Sequence, residues 1–346
     1  MKRAILTGPG NFRIEEAPVP APAAGEALVR IKAIGICGSD LHLFKEGMIG
    51  GIRIEDAGGP FMPGHECMGV VEDAGPGVDR ALIGRRVFVE PANPCGKCRW
   101  CVAGQPNICP NVQFLGVPGV SGCMREYMAH PARLCEPMPD EISDDVAVLL
   151  EPLAIAVYSL DRVAPPPGTA AVVLGAGPIG LTHPLLLARG GISPLIVTDV
   201  LDYRLKIARD LGATHTFNPK RDNVIEAVLG LTGGYGADSV FECVGHQDTF
   251  AVMGELACPG GRVGVVGIPA VDLMAFKASG PRRKGLDLLM FRRANLTLRR
   301  ALARTLHERL PLAPLATHHW PMEKSSEAFA VAAEYRDGIV KGIINP

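Results

Sequence analysis

Across residues 4–133 apolar positions come in short runs that glycine and proline interrupt, the clearest at 27–34, 68–72 and 86–90. Runs of that length between turn formers predict strands, so this stretch reads as all-β. The texture changes at Pro165-Pro166-Pro167-Gly168, the sharpest break in the chain. Beyond it, apolar runs at 170–174, 195–198, 239–243 and 262–266 alternate with helix-length segments. That alternation predicts a parallel sheet covered by helices. A helical stretch at 294–309 then leads into proline-rich sequence and a last apolar run at 339–344, a tail assigned back to the first domain. The expected domains are residues 1–155 with 292–346, and residues 156–291. No repeat or low-complexity tract is visible, which excludes solenoid architectures.

Composition agrees with two domains, since 346 residues exceed one ordinary core and 47% apolar against 21% charged residues is a globular mixture. A formal net charge of -1 supplies no field to attract nucleic acid or an anionic membrane surface, so neither partner is expected. Residues 1–7 hold a Lys-Arg pair and only a brief apolar run, and no stretch reaches bilayer-spanning length. The expected location is therefore cytoplasmic. Four of the 10 cysteines crowd between positions 95 and 109. In a large chain without an export signal, that clustering points to a metal and not to a disulfide framework.

Directly after the run at 170–174 stands Gly175-Ala176-Gly177-Pro178-Ile179-Gly180, a GxGxxG between a predicted strand and a predicted helix. Gly175 allows the tight turn, Gly177 lets backbone approach a pyrophosphate, and Gly180 permits close packing of helix on strand. Pro178 and Ile179 open the helix, whose amino end offers free N–H groups to an anion. About twenty residues on, the second strand ends at Thr198-Asp199. A carboxylate at Asp199 accepts hydrogen bonds from ribose hydroxyls and repels a 2′-phosphate, which favours NAD over NADP. Arg204 lies close enough in sequence to keep NADP open. Pro184 falls inside this first helix and predicts a kink there.

Cys95, Cys98, Cys101 and Cys109 give C-x2-C-x2-C-x7-C within a lobe at 91–112. Four thiolates complete a tetrahedral zinc site with no open position, which suits a structural role. An iron–sulfur cluster is the competing reading, but the trailing Cys-Pro repeat of such clusters is missing. A second constellation comprises Gly35-Ile36-Cys37-Gly38-Ser39-Asp40-Leu41-His42, then Gly64-His65-Glu66, then Glu151-Pro152. Each alone reads as a small core residue, a structural histidine or a solvated carboxylate. Together they supply the S, N and O donors of catalytic zinc sites that leave one position for water or substrate.

These motifs, with Leu150-Glu151-Pro152-Leu153, resemble in type and order those of the zinc-containing medium-chain dehydrogenases, over nearly the whole chain. The resemblance is strongest to the polyol (sorbitol or iditol) and threonine dehydrogenase branch. It implies an α/β fold with a GroES-like β-barrel catalytic domain and a Rossmann domain, a doubly wound parallel sheet. It implies two zinc ions per chain, with Cys37 and His65 as catalytic ligands and the remaining role shared between Glu66 and Glu151. Asp40 matches the carboxylate that fixes the ligand histidine's ring. Ser39 matches the hydroxyl that takes the substrate proton, and His42 the group that passes it on. Arg292, in Phe291-Arg292-Arg293-Ala294-Asn295, matches an arginine that points at substrate hydroxyls. Arg293 stands where the family often has an aromatic, so polyol specificity does not follow.

The activity so implied is NAD-linked oxidation of a small secondary alcohol, polyol or hydroxy amino acid to the ketone. The partners implied are that small-molecule substrate and further copies of the chain, as a homo-tetramer or homo-dimer. The rival of another class is a non-enzymatic zinc and dinucleotide-binding sensor, which an open coordination position would argue against. Zinc-free quinone reductases share both folds but should lack the four-cysteine lobe and the Cys37–His65 pair.

Overall fold

A computed structural model describes residues 1–49, 51–58 and 61–346. It divides into two compact units, Met1–Glu151 with Leu312–Pro346, and Pro152–Pro311. The first division falls inside the helix Asp144–Val163, between Glu151 and Pro152. The second leaves residues 292–311, which the sequence had suggested for the first unit, with the second.

In the first unit the hub is strand Glu26–Gly35. Seven of its ten residues are apolar or glycine, six of them from the run at 27–34, and all seven are buried. It pairs antiparallel with Glu66–Ala74, with Tyr127–Pro131 and, at its end, with Lys341–Asn345. The sheet order is Cys135–Pro137, Arg86–Val89, Glu66–Ala74, Glu26–Gly35, Lys341–Asn345, Ala316–Pro321. The last two strands run parallel, joined through the helix Ser325–Ala333, because a parallel pair needs a crossover. Under the sheet lies an apolar core that includes Val29, Ile34, Phe44, Met124, Phe329 and Ile344. Phe329 anchors it, with Phe12 edge-on at 4.7 Å and Phe44 at 5.5 Å between ring centres.

The second unit is a six-stranded sheet in the order His215–Phe217, Leu195–Thr198, Ala171–Leu174, Ala237–Glu242, Ala257–Val265, Asp287–Met290, parallel throughout. Numbered along the chain this is 3-2-1-4-5-6, the doubly wound order whose switch point lies between the first and fourth strands. Strands Ala171–Leu174 and Leu195–Thr198 are buried at every position, which is why they read as unbroken apolar runs and not as alternation. The helix Pro178–Arg189 carries Pro184 within it as one element. His183 on that helix is buried, with Nε2 2.8 Å from Ser159 Oγ and Nδ1 2.9 Å from the Ile179 carbonyl. Burial holds its imidazole neutral, with the pKa pushed down to about 4. The carbonyl end of helix Gln247–Leu256 is closed by Lys284, whose Nζ donates to the carbonyls of Gly254, Glu255 and Ala257 at 3.3, 2.9 and 2.7 Å.

Boundaries differ from expectation where turn formers or exposure misled. The run at 262–266 is only the end of a strand that begins at Ala257, ahead of Pro259-Gly260-Gly261. The expected helix at 294–309 starts at Leu298, because Arg293 and Leu296 take left-handed φ of 56° and 57° before it. Among the described residues no helix is long and apolar enough to cross a membrane, and all ten cysteines are free thiols.

Candidate active site and metal centres

Cys37 caps the helix Gly38–Glu46 in extended conformation, at the point where the hub strand ends. Three residues on, Asp40 is wholly buried in the first turn. Its carboxylate accepts from the backbone N–H of Cys37 and of Gly64, both at 3.2 Å, and lies 3.5 Å from Nδ1 of His65. One carboxylate thus fixes the backbone on both sides of the site and the ring of His65, leaving Nε2 turned to another partner. Glu66 follows His65 and pairs across the sheet with Gly35. As a result the donor atoms of Cys37, His65 and Glu66 lie within 4.8 Å of one another, an S, N, O set of the kind that suits a divalent cation with a position left open.

Glu151 falls outside that three-residue cluster. Its carboxyl is buried, and burial, followed by the charge of Glu66, raises its pKa to about 7, with His65 and Lys341 opposing. Glu90, a further charged neighbour of Glu151, is likewise pushed up to about 7 by burial. Carboxyls perturbed in this way mark sites where charge is handled. Ser39 and His42 sit half-buried on the same helix, three residues apart and so on neighbouring positions of one face. The Nδ1 of His42 is 4.0 Å from Glu46. Arg292 is exposed and lies in the second unit, after strand Asp287–Met290.

The sequence reading missed Lys341. Its Nζ forms an ion pair with Glu66 Oε2, and both side chains are only 1% exposed. The signal was present: a lysine inside the apolar run 339–344, on a strand whose first four residues are all buried. Gly35 makes room for the pair. A Cβ there would meet Glu66 Oε2 at 2.2 Å, Val148 Cγ1 at 2.5 Å and Lys341 Cε at 2.9 Å.

In the cysteine lobe, the sulfurs of Cys98 and Cys101 lie 3.4 Å apart, Cys98 and Cys109 3.8 Å, and Cys109 and Cys95 3.6 Å. Four thiolates at zinc–sulfur distance on a tetrahedron stand about 3.8 Å apart, so the set fits a closed zinc site. Backbone N–H groups of Lys97 and Cys98 pull the Cys95 thiol down to about 6, while burial pushes the Cys101 thiol up to about 12, so the geometry of the four sulfurs and not their titration carries the assignment.

In the second unit the glycine turn joins strand Ala171–Leu174 to helix Pro178–Arg189, with Gly177 as cap and Pro178 in the first turn. Gly175 has φ 94°, and a Cβ on Gly180 would meet the Gly175 carbonyl oxygen at 2.0 Å, so both positions require glycine. Asp199 accepts from the backbone N–H of Ala176 at 2.7 Å and of Leu201 at 2.9 Å, which aims its carboxylate at the turn. Arg204 is buried, and its guanidinium comes within 4.0 Å of where a Gly177 Cβ would stand. A pyrophosphate-bearing ligand fits this arrangement of backbone donors, carboxylate and guanidinium.

Residues 23–140 match the alcohol dehydrogenase GroES-like domain, and residues 178–307 match the zinc-binding dehydrogenase domain. Sorbitol dehydrogenase of Bacillus subtilis is 31% identical over 347 residues, covering 100% of this chain and 97% of that protein. An alcohol dehydrogenase of Escherichia coli CFT073, solved with NADH, superposes with a TM-score of 0.91 at 28% identity, over 100% of this chain and 99% of that one. A zinc-binding dehydrogenase of Sinorhizobium meliloti, solved with NADP, gives 0.90 at 26% identity, again over 100% and 99%.

Proposed function

From the premise that this chain belongs to the zinc-containing medium-chain dehydrogenase family, as an NAD(P)-dependent dehydrogenase of alcohols or polyols, we propose that it oxidises a small secondary alcohol, polyol or hydroxy amino acid to the ketone with NAD. The observation that carries this reading is the convergence of Cys37, His65 and Glu66 donor atoms within 4.8 Å, against a buried second carboxyl, Glu151. That set would hold a catalytic zinc, which when bound supplies Lewis acidity to the substrate hydroxyl. Cys95, Cys98, Cys101 and Cys109 would hold a structural zinc.

The chain's own residues do the rest. Asp40 holds the His65 ring in one orientation through Nδ1. Ser39 Oγ takes the proton of the substrate hydroxyl and His42 passes it towards solvent, one helical turn away. The glycine turn and Asp199 would hold the pyrophosphate and adenosine ribose of a dinucleotide, which when bound would supply the hydride acceptor. The Asp199 carboxylate would favour the free ribose hydroxyls of NAD. A sensor without turnover is not favoured, because the relatives matched along the full chain are dehydrogenases.

The test is NADH production across secondary alcohols, polyols and hydroxy amino acids, by wild type and by Cys37→Ser. Turnover by wild type, lost in Cys37→Ser while NADH binding survives, is the expected result. Full activity in Cys37→Ser would remove the cysteine from the chemistry, and a higher kcat/KM with NADP than with NAD would overturn the cofactor choice.

A further inference from the structure

The fourth strand of the parallel sheet ends on a glutamate that neither the glycine turn nor the metal centres use. Glu242 is completely buried. Its Oε1 accepts from the backbone N–H of Val244 at 2.9 Å and of Gly245 at 2.8 Å, and from Thr249 Oγ1 at 2.8 Å. Its backbone carbonyl accepts from the N–H of Val266 at 2.8 Å and of Gly267 at 3.0 Å. A single residue therefore ties the segment after the fourth strand to the segment after the fifth. The two segments touch backbone to backbone: a Cβ on Gly267 would meet Gly245 N at 2.2 Å and Glu242 Oε2 at 2.6 Å, and one on Gly245 would meet the Ile268 carbonyl oxygen at 2.4 Å.

This junction leans on the glycine turn. A Cβ on Gly175 would meet Val244 Cγ2 at 2.5 Å, and one on Gly180 would meet Cys243 Cβ at 3.6 Å. The first and fourth strands are neighbours at the switch point, and ligands of doubly wound sheets bind off the carboxyl ends of the strands there. Carrying a carboxylate into this interior is costly, and Oε2 has no hydrogen-bond partner there. An apolar residue could not gather three donors onto one atom. The compensation is a floor for the crevice that is already formed before a ligand arrives.

We propose that Glu242 is a positioning residue for the dinucleotide: it holds residues 243–246 and 266–268 in the binding geometry, and so sets cofactor affinity without contacting the metal centres. The inference rests on the reading that this crevice binds a nicotinamide dinucleotide. If loss of the clamp leaves the binding geometry populated a tenth of the time, the apparent Kd rises about tenfold.

The experiment measures NADH binding by fluorescence for wild type, Glu242→Ala and Glu242→Gln, with zinc content and thermal midpoint determined for each. Glu242→Ala is expected to bind NADH about tenfold more weakly. Glu242→Gln recovers part of the affinity, because its amide oxygen can still accept from Val244 and Gly245. Zinc content stays at the wild-type value in both. An unchanged Kd in a folded Glu242→Ala would overturn the clamp. Wild type that binds neither NADH nor NADPH would instead overturn the dinucleotide reading itself. If Glu242→Ala does not fold, amide exchange of the wild type decides: the Val244 and Gly245 amides must be protected already without cofactor. Protection that arises only on adding NADH would refute the clamp.

Discussion

Replacing Lys341 by methionine strands Glu66 as a buried charge. In the wild type the two charges face each other with 1% exposure each, so neither is solvated by water and each depends on the other. Removing one partner of such a pair typically costs about 3–5 kcal/mol, whereas replacing both by apolar side chains of similar size is often neutral. Against a stability of about 5–15 kcal/mol for a native protein, that loss is large. With a urea dependence of about 2 kcal/mol per molar, the midpoint should fall by on the order of 2 M. The readout is specific to the unit concerned, because both tryptophans, Trp100 and Trp320, lie in it, and Trp320, on the neighbouring strand, pairs with Ile344 of the strand that carries Lys341. Because Glu66 is also a proposed zinc ligand, the comparison is made on chelator-treated, zinc-free protein: urea unfolding followed by tryptophan fluorescence should show a strongly destabilised Lys341→Met and a Lys341→Met/Glu66→Met double variant that regains most of the loss. A single variant within about 0.5 kcal/mol of wild type, as for an ordinary surface change, would refute the reasoning. So would a double variant whose loss is the sum of the two singles.

Gly35→Ala puts a methyl group 2.2 Å from Glu66 Oε2 and 2.5 Å from Val148 Cγ1, and should cost about 1–3 kcal/mol of stability by overpacking, with turnover falling at least as far as in a mild ligand variant; wild-type activity would contradict the crowding. Cys98→Ser removes one corner of the sulfur tetrahedron, and metal analysis should find one zinc fewer per chain together with a lower thermal midpoint. His183 is neutral with a folded pKa of about 4 against 6.5 in the open chain, so the unfolded state takes the proton first as pH falls. Its share of stability, whole above pH 6.5, should be lost between there and pH 4, on the order of 3 kcal/mol. Unfolding of His183→Gln, followed by circular dichroism, should show a shallower acid decline than wild type, and parallel curves would exclude the histidine as its source.

What could be read from the sequence was whatever depends on neighbours along the chain. The strands Ala171–Leu174 and Leu195–Thr198 announce themselves because both faces are covered, which makes every position but Thr198 apolar. The glycine turn and the four-cysteine lobe are likewise local, and their spacing carries their geometry. Strand Asp287–Met290 escaped notice because it is a sheet edge with exposed ends. The meeting of Cys37 with His65 and Glu66 depends on the register that sets Gly35 opposite Glu66, which no pattern within either segment encodes. Lys341 was hidden for the opposite reason: in an apolar run a lone lysine reads as a solvent-facing exception, and only its counter-charge, 275 positions earlier, explains why it points inward. Arg292 falls in the second unit because the chain divides only at Pro311, a boundary that no turn former in the sequence around residue 292 marks.

The strand Lys341–Asn345 completes the sheet next to Gly35, although the whole of residues 152–311 separates it from the rest of its unit. During synthesis on the ribosome the second unit can collapse while the first still lacks two strands of its sheet and the cation that pairs with Glu66. The nascent amino-terminal segment must wait, with an unfilled sheet edge exposed to neighbouring polysomes and chaperones, until the returning segment emerges from the exit tunnel. The surroundings of Cys37, His65 and Glu66 are thereby completed only by residues synthesised after the second unit.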